Sequence, residues 1–359
     1  MLRNALLCLA LACCLPAHAQ DAAQTVPPDI GQRVAERYVA PSLAAFSGVT
    51  GRLDGKMGEL CAAPGDEALE EARATFADTV RAWGPVSMFR FGPLVEENRF
   101  EHLFFWPDMR GVTLRQVQGV LADKDESAAA AASLKEKSVA LQGLPALEFV
   151  LFGSGAEELA GADGAFRCRY GTAIATNLTG RAAELTQAWA PDAPFHSDFT
   201  RPAAGNALYR SPGEVAGEVV KALTTGLQFA RNAELLPALG ANPDKANGKR
   251  TPLWRSNLTF DLVGTQIEGM MGLVNAADFK THLDAAGGAI VDSVLFDLEH
   301  ALGALEEVGT PAETAFTEAE DRGRISYAGV ALEGADHTIS EQLSAAIGLT
   351  MGFNALDGD

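Results

Sequence analysis

Glu148 is the side chain in this sequence that most needs a chemical role, because it is the one ionisable residue in the apolar run 143–153. Burying an ionised carboxylate without a partner is strongly unfavourable, so the group must be paired, protonated, bound to a metal or placed at a cleft. Pro145, three residues earlier, has no side-chain donor or acceptor and cannot hold a metal. The segment therefore predicts a single carboxylate ligand, and an ion-paired or capping residue of a buried helix is the alternative.

The residues around Glu148 indicate a helix. Pro145 suits a first helical position, since its missing N–H would be unsatisfied there in any case. Glu148 then falls in the first turn, where the helix dipole favours a carboxylate. A residue three positions earlier would lie on the same face.

Other residue types that could perform chemistry give weaker patterns. None of the histidines after the N-terminal segment forms a His-Glu-x-x-His motif. His337 and Glu341 are four apart on a predicted helix, which is typical of a solvated face. Cys61 and Cys168 are the two cysteines that remain once the N-terminal segment is removed, and they predict a disulfide in an oxidising compartment. A zinc or nucleophilic cysteine site is the weaker alternative, because neither cysteine belongs to a Cys-x-x-Cys motif.

The N-terminus has the pattern of a signal peptide. Arg3 precedes the apolar run 5–15, and Ala17-His18-Ala19 is a small-x-small cleavage site. We therefore expect export to the periplasm with cleavage after Ala19. A lipid anchor on Cys13 is less favoured, because alanine stands where such sites usually have leucine. No later stretch has about twenty uninterrupted apolar residues, so no membrane span is predicted.

Composition restricts the classes of partner. The chain has 359 residues and a formal net charge of -19, which argues against a nucleic-acid backbone or an anionic membrane surface as partner. Its 47% hydrophobic content is enough for a sizeable core and about two domains. A metal ion, iron or another small ligand remains compatible with this charge.

The elements that position these residues are predicted to be helices. Apolar residues recur at intervals of three and four in four stretches, which are 69–83, 216–230, 290–305 and 339–351. Ser211 followed by Pro212 and Glu214 is a capping box that predicts a helix start. Sustained alternation of period two is absent from the sequence, so the predicted fold class is all-α.

A proline-rich stretch predicts a domain boundary. Prolines 191, 194, 202 and 212 interrupt any continuous helix between Ala190 and Pro212. We expect an N-terminal helical-bundle domain over residues 20–198 and a C-terminal one over 199–359, after the signal peptide 1–19. The polar stretch 240–250 is predicted to be a surface loop.

Several sequence blocks resemble the imelysin-like family. They are the run 143–153, which is similar to the family's Gly-x-His-x-x-Glu signature, and residues 89–93, 105–108, 115–117 and 255–259, in the expected order. Pro145 replaces the signature histidine. A histidine at this position would have formed a two-ligand face with Glu148, so half of that face is missing.

The resemblance implies an exported protein of two helical bundles, with the signature helix projecting into a cleft near the domain interface. It also implies a link to iron uptake or iron regulation, and some members have been classed as metallopeptidases. The candidate ligand-binding residues are Glu148, Arg90, Trp106, Arg255 and Ser256, and Glu148 is the candidate metal ligand. We expect Glu148 to be charge-paired with Arg90 or Arg255, since a guanidinium can satisfy both carboxylate oxygens.

Three hypotheses about function follow. The first, which we favour, is a non-catalytic periplasmic binding or accessory protein connected with iron or metal uptake; its partner would be a metal ion, a small ligand or a periplasmic or outer-membrane protein. The second is a metallopeptidase, which requires about three protein ligands around an activated water. The third is a protein-interaction module in which Pro145 marks a lost activity.

Overall fold

The structure is a computed structural model that describes residues 25–349, so the predicted signal peptide, Cys13 and Met351 lie outside the described residues. The described residues form sixteen α-helices. In chain order they are α1 Ile30–Val34, α2 Ala40–Ala62, α3 Asp66–Ser87, α4 Arg99–Leu103, α5 Val112–Asp123, α6 Ala131–Leu134, α7 Gly143–Phe152, α8 Ala165–Ala188, α9 Pro194–Thr200, α10 Pro212–Phe229, α11 Leu236–Leu239, α12 Thr259–Ala277, α13 Ala285–Glu306, α14 Ala312–Ala315, α15 Ala319–His337 and α16 Ser344–Ala346.

Shorter helical segments of other types connect them. The π-helical segments are Ala35–Val39, Ala230–Leu235 and Thr338–Leu343. The 3₁₀ turns are Gly92–Leu94, Glu96–Asn98, Val139–Leu141, Ala156–Ala160, Ala162–Gly164, Pro243–Lys245, Gly248–Arg250 and Phe279–His282. No strand occurs within residues 25–349, and the predicted all-α class is confirmed. Over the same range, no helix is both long enough and apolar enough to cross a membrane.

The predicted helices lie where the apolar periodicity placed them. The first three periodic stretches fall in α3, α10 and α13, and each buries its apolar stripe. The side chain of Ser211 accepts a hydrogen bond from the Glu214 backbone N–H at 3.3 Å. The Glu214 carboxylate accepts from the Arg210 N–H at 2.7 Å, so the predicted cap at the start of α10 is confirmed.

Two groups of helices share one continuous hydrophobic core. In the first, α2 packs against α3 and α8, and in the second, α13 packs against α12 and α15. Contacts between α3 and α12 join the groups. Cys61 and Cys168 form a disulfide between α2 and α8 with a Cα–Cα distance of 5.6 Å, which confirms the predicted pairing. The domain boundary near residue 198 stays a prediction.

Helix α7, which carries Glu148, is wedged among α3, α5 and α8. Gly171 of α8 permits close approach, because a Cβ there would lie 2.6 Å from the Met57 Cε and 3.0 Å from the Val150 Cγ1. The helix begins at Gly143 and not at Pro145, so the prediction that Glu148 lies in the first turn is wrong. The chain enters this helix through Gly143, which has a φ of +74° and lies against the Leu103 carbonyl, where a side chain would collide.

Candidate functional site

A cleft of about 510 Å³ opens at the middle of α7. Its aromatic lining residues are Phe105, Trp106, Phe149 and Trp254, and its charged ones are Asp108, Glu148, Lys249, Arg250 and Arg255. Small-molecule sites typically have this size and this mixture of apolar walls with a few polar groups. The cleft is therefore the candidate functional site.

Glu148 lies in the wall of this cleft and is only 3% exposed. Its Oε1 accepts hydrogen bonds from the backbone N–H and the hydroxyl of Ser256, at 3.0 and 3.1 Å. Its Oε2 lies 3.9 Å from the Arg255 Nη1. Burial raises the pKa of Glu148, while the Ser256 hydrogen bonds and the Arg255 charge act in the opposite direction. The carboxylate is thus held by neighbours that belong to one short loop.

Arg90 does not share this environment. Its guanidinium carbon lies 3.6 Å from the ring centroid of Phe100 and 3.9 Å from that of Phe229. Burial lowers the pKa of Arg90 to about 10. Arg90 is not among the residues that line the cleft, so its predicted place beside Glu148 is wrong, and the partner arginine is Arg255. The reason is that the two phenylalanine faces hold the guanidinium by cation–π contacts.

The loop 251–258 holds Arg255 and Ser256 in place. Leu253 and Asn257 flank them in the left-handed region, with φ of 55° and 60°. Leucine rarely adopts this conformation, whereas asparagine tolerates it. The Leu258 N–H donates to the Leu253 carbonyl at 3.0 Å, and the Asn257 Oδ1 accepts from the Ala312 N–H at 2.8 Å. The surrounding contacts thus fix a backbone that would otherwise be unfavourable.

The opposite wall comes from the segment before α5. Trp106 donates its indole N–H to the Ala233 carbonyl at 2.9 Å, which fixes the ring. Asp108 accepts from the Val112 and Thr113 N–H groups, each at 2.8 Å. Both carboxylate oxygens of Asp108 are therefore used to cap α5.

The lining residues do not fit a metal centre. Within residues 25–349, no group of three or more His, Cys, Asp and Glu side chains is arranged to hold a metal ion. The residue three positions before Glu148 is a proline, and a guanidinium lies 3.9 Å from its carboxylate. A cation placed on Glu148 would be repelled by Arg255.

Sequence reasoning missed several residues of the cleft, and Lys249, Arg250 and Trp254 are those with charged or indole side chains. The first two belong to the stretch 240–250, which was predicted to be a surface loop. Trp254 directly precedes the block 255–259, and this adjacency was the available signal. The predicted residues Glu148, Trp106, Arg255 and Ser256 do come together, since the first three line the cleft and Ser256 binds Glu148.

Glu148 and Arg255 should show energetic coupling that Glu148 and Arg90 lack. We expect a double-mutant cycle of Glu148→Gln with Arg255→Gln, measured by denaturant unfolding, to give a coupling of about 1 kcal/mol. The value is modest because the ion pair is long and Arg255 is partly exposed. The same cycle with Arg90→Gln is the control and should be additive. A larger coupling to Arg90 than to Arg255 would contradict this assignment.

Comparison with solved structures agrees with the helical architecture. The crystal structure of an imelysin-like protein from Psychrobacter arcticum 273-4 matches with a TM-score of 0.74 at 18% identity, covering 90% of this chain and 96% of that one. A putative iron-regulated protein A precursor from Parabacteroides distasonis ATCC 8503 matches with a TM-score of 0.73 at 11% identity, covering 90% and 95%. At these identities the similarity shows a shared fold.

Sequence comparison identifies the family. No curated protein matches this chain. The family model described as Imelysin, however, matches residues 39–339, which is most of the sequence. The matched range contains α7, the loop 251–258 and every lining residue of the cleft. The chain therefore belongs to the imelysin family.

Proposed function

We propose that this protein is an exported, non-catalytic binding or accessory protein connected with iron or metal uptake, and that the cleft beside α7 binds its ligand. The observation that carries the proposal is the set of contacts made by the Glu148 carboxylate. Its oxygens face Ser256 and Arg255 rather than other metal ligands, so the group is engaged in holding the wall of the cleft.

The roles of the lining residues follow from their contacts. Glu148 is a positioning residue, because it anchors the backbone and hydroxyl of Ser256 and faces Arg255. Trp106 offers its ring to a ligand, whereas the Trp254 ring contacts Arg255 and Lys249. Arg255 offers guanidinium N–H groups, because it contacts Glu148 at a distance longer than a hydrogen bond.

The connection with iron is supported by the name of the Parabacteroides distasonis protein, which describes that protein as iron-regulated. Export is supported by the signal-peptide pattern of residues 1–19, with Arg3 before an apolar run and a small-x-small site. A periplasmic protein of this kind would bind its ligand and pass it to a periplasmic or outer-membrane partner.

The metallopeptidase hypothesis requires chemistry that the cleft residues do not provide. An activated water needs an open metal site with about three protein ligands. Glu148 is instead hydrogen-bonded to Ser256 and faces a cationic side chain. We therefore derive no hydrolytic step from this cleft.

The proposal is tested on protein purified from the exported fraction of the cells that produce it. We expect native mass spectrometry to show one small ligand per chain, and Arg255→Gln to abolish its retention. Arg52→Gln, which changes an exposed arginine of α2, is the control and should retain the ligand.

Elemental analysis and peptide-hydrolysis assays of the same protein distinguish the alternatives. We expect to find no metal ion bound to protein that lacks the small ligand. We also expect no chelator-sensitive peptide hydrolysis. Stoichiometric protein-bound metal, together with cleavage that Glu148→Gln abolishes in a folded protein, would establish the metallopeptidase instead. A protein that retains no ligand at all would favour the interaction module.

A further inference from the structure

We infer that the ligand of the cleft is an anion with an aromatic or similarly planar face, with its negative group bound at Arg255 and its face against Trp106. This inference rests on the proposed function, since it names the class of ligand for the same site. It is carried by three observations: the cations that line the cleft, the unused donors of Arg255 and the fixed indole ring of Trp106.

The charge of the cleft differs from that of the rest of the protein. Three basic and two acidic side chains line it, whereas the whole chain has a formal net charge of -19. Both acidic side chains are already compensated. Asp108 accepts two backbone N–H groups at the start of α5, and Glu148 accepts two hydrogen bonds from Ser256. Lys249 is likewise paired with Glu313, so Arg250 and Arg255 are the lining cations that remain available to an anion, in a protein whose net charge elsewhere repels anions.

The guanidinium of Arg255 has donors available for a ligand. Its side chain is 21% exposed, and the Glu148 Oε2 lies 3.9 Å from the Arg255 Nη1, beyond hydrogen-bond distance. Within residues 25–349, no acceptor makes a hydrogen bond with this guanidinium. A guanidinium has five N–H donors in a planar fork that matches a carboxylate or phosphate. Burial lowers the pKa of Arg255, yet the group remains a cation at neutral pH.

Two aromatic rings contact the guanidinium of Arg255. Its guanidinium carbon lies 4.5 Å from the ring centroid of Trp254 and 5.3 Å from that of Phe149. These contacts orient the guanidinium without using its N–H groups. The Trp254 ring also has Lys249 over it, with the Nζ 5.0 Å from the ring centroid. Trp106 is partly exposed and lines the same cleft, and among the described residues no cation lies over its ring. A planar ligand can therefore stack on an indole while its anionic group reaches the guanidinium.

A cationic ligand and a bare metal ion fit this arrangement less well. Either would need a free carboxylate, but both Asp108 oxygens accept backbone N–H groups, and the Glu148 Oε2, which accepts no hydrogen bond, lies 3.9 Å from the Arg255 Nη1. Lys249 pairs with Glu313 at 2.8 Å, and Arg255 is the cation that faces the Glu148 carboxylate. A second positive charge at this place would be repelled.

The inference is tested with phthalate, an aromatic dianion, by quenching of tryptophan fluorescence. Two of the four tryptophans, Trp106 and Trp254, line the cleft and report on its occupancy. We expect saturable quenching by phthalate and little or none by succinate, which lacks the ring, or by benzylamine, which is a cation. Arg255→Gln and Trp106→Leu should each weaken phthalate binding by about tenfold or more. Arg52→Gln should leave it unchanged.

The outcomes separate this inference from the proposed function. If benzylamine or a divalent metal ion binds in a manner that depends on Glu148 while phthalate does not bind, the cleft is a ligand site and the anionic class is wrong. Equal binding of phthalate and succinate would overturn the requirement for a planar face. If none of these probes binds and no ligand is retained by the purified protein, both proposals fail.

Discussion

Replacing Glu234 with glutamine should raise the free energy of unfolding at pH 9 by about 2–4 kcal/mol. Glu234 is completely buried, in the π-helical segment Ala230–Leu235. Its Oε1 accepts a hydrogen bond from the Gln266 Nε2 at 3.3 Å, and its Oε2 has no hydrogen-bond partner among the described residues. Burial raises the pKa of Glu234 to about 8, against an opposing contribution from the charge of Arg90.

The direction of the pH effect follows from proton uptake. Between about pH 4.5 and 8, the folded protein keeps a proton on Glu234 that the unfolded chain has released. Its contribution to stability is therefore fully present below pH 4.5, decreases above this value and is lost as the pH rises through about 8. Glutamine resembles the protonated acid and releases no proton, so the variant should lack this loss.

Denaturant unfolding of the wild type and Glu234→Gln at pH 5, 7 and 9 provides the measurement. The difference between the two proteins should be small at pH 5 and should grow with pH. Glu268→Gln, at an exposed position of α12, is the control and should show no such trend. A pH-independent difference, or a variant that is less stable at pH 9, would show that Glu234 is ionised in the folded protein.

Removal of the disulfide should have an effect of similar size. We expect Cys61→Ala combined with Cys168→Ala to lower the free energy of unfolding by about 2–5 kcal/mol. The bond joins α2 to α8 across a sequence separation of 107 residues, so it restricts a long loop of the unfolded chain. Urea unfolding of the wild type and the double variant gives the difference.

Reductant separates loss of the bond from loss of packing. It should lower the stability of the wild type and leave the double variant unaffected. Thiol labelling of the wild type under denaturing, non-reducing conditions should find no free thiol. Two labelled cysteines per chain would show that the bond does not form.

The parts of this fold that could be predicted from sequence depend on local patterns. Apolar periodicity identified α3, α10 and α13, and the Ser211 cap fixed the start of α10. The disulfide followed from counting the cysteines outside the predicted signal peptide. These signals arise from residues a few positions apart, or from simple elimination, and they need no knowledge of the tertiary packing.

The parts that could not be predicted depend on contacts between distant segments. Glu148 meets Ser256 across a sequence separation of 108 residues, and no local pattern distinguishes Arg255 from Arg90 as its neighbour. The choice is made by Phe100 and Phe229, which come together only in the folded protein and hold Arg90 elsewhere. Glu234 could not be identified as buried either, since a π-helical turn changes the side of the helix on which a residue lies.

The π-helical segment Ala230–Leu235 also has a consequence for how this protein can change during evolution. Successive residues of an α-helix are about 100° apart around the axis. A π-turn accommodates one additional residue between α10 and α11 without ending the helical path of the chain. Deletion of one residue there would change the angular position of Glu234 relative to one of the two helices. The burial of this acid, and with it the pH dependence of stability, therefore depends on the length of the segment as well as on the glutamate itself.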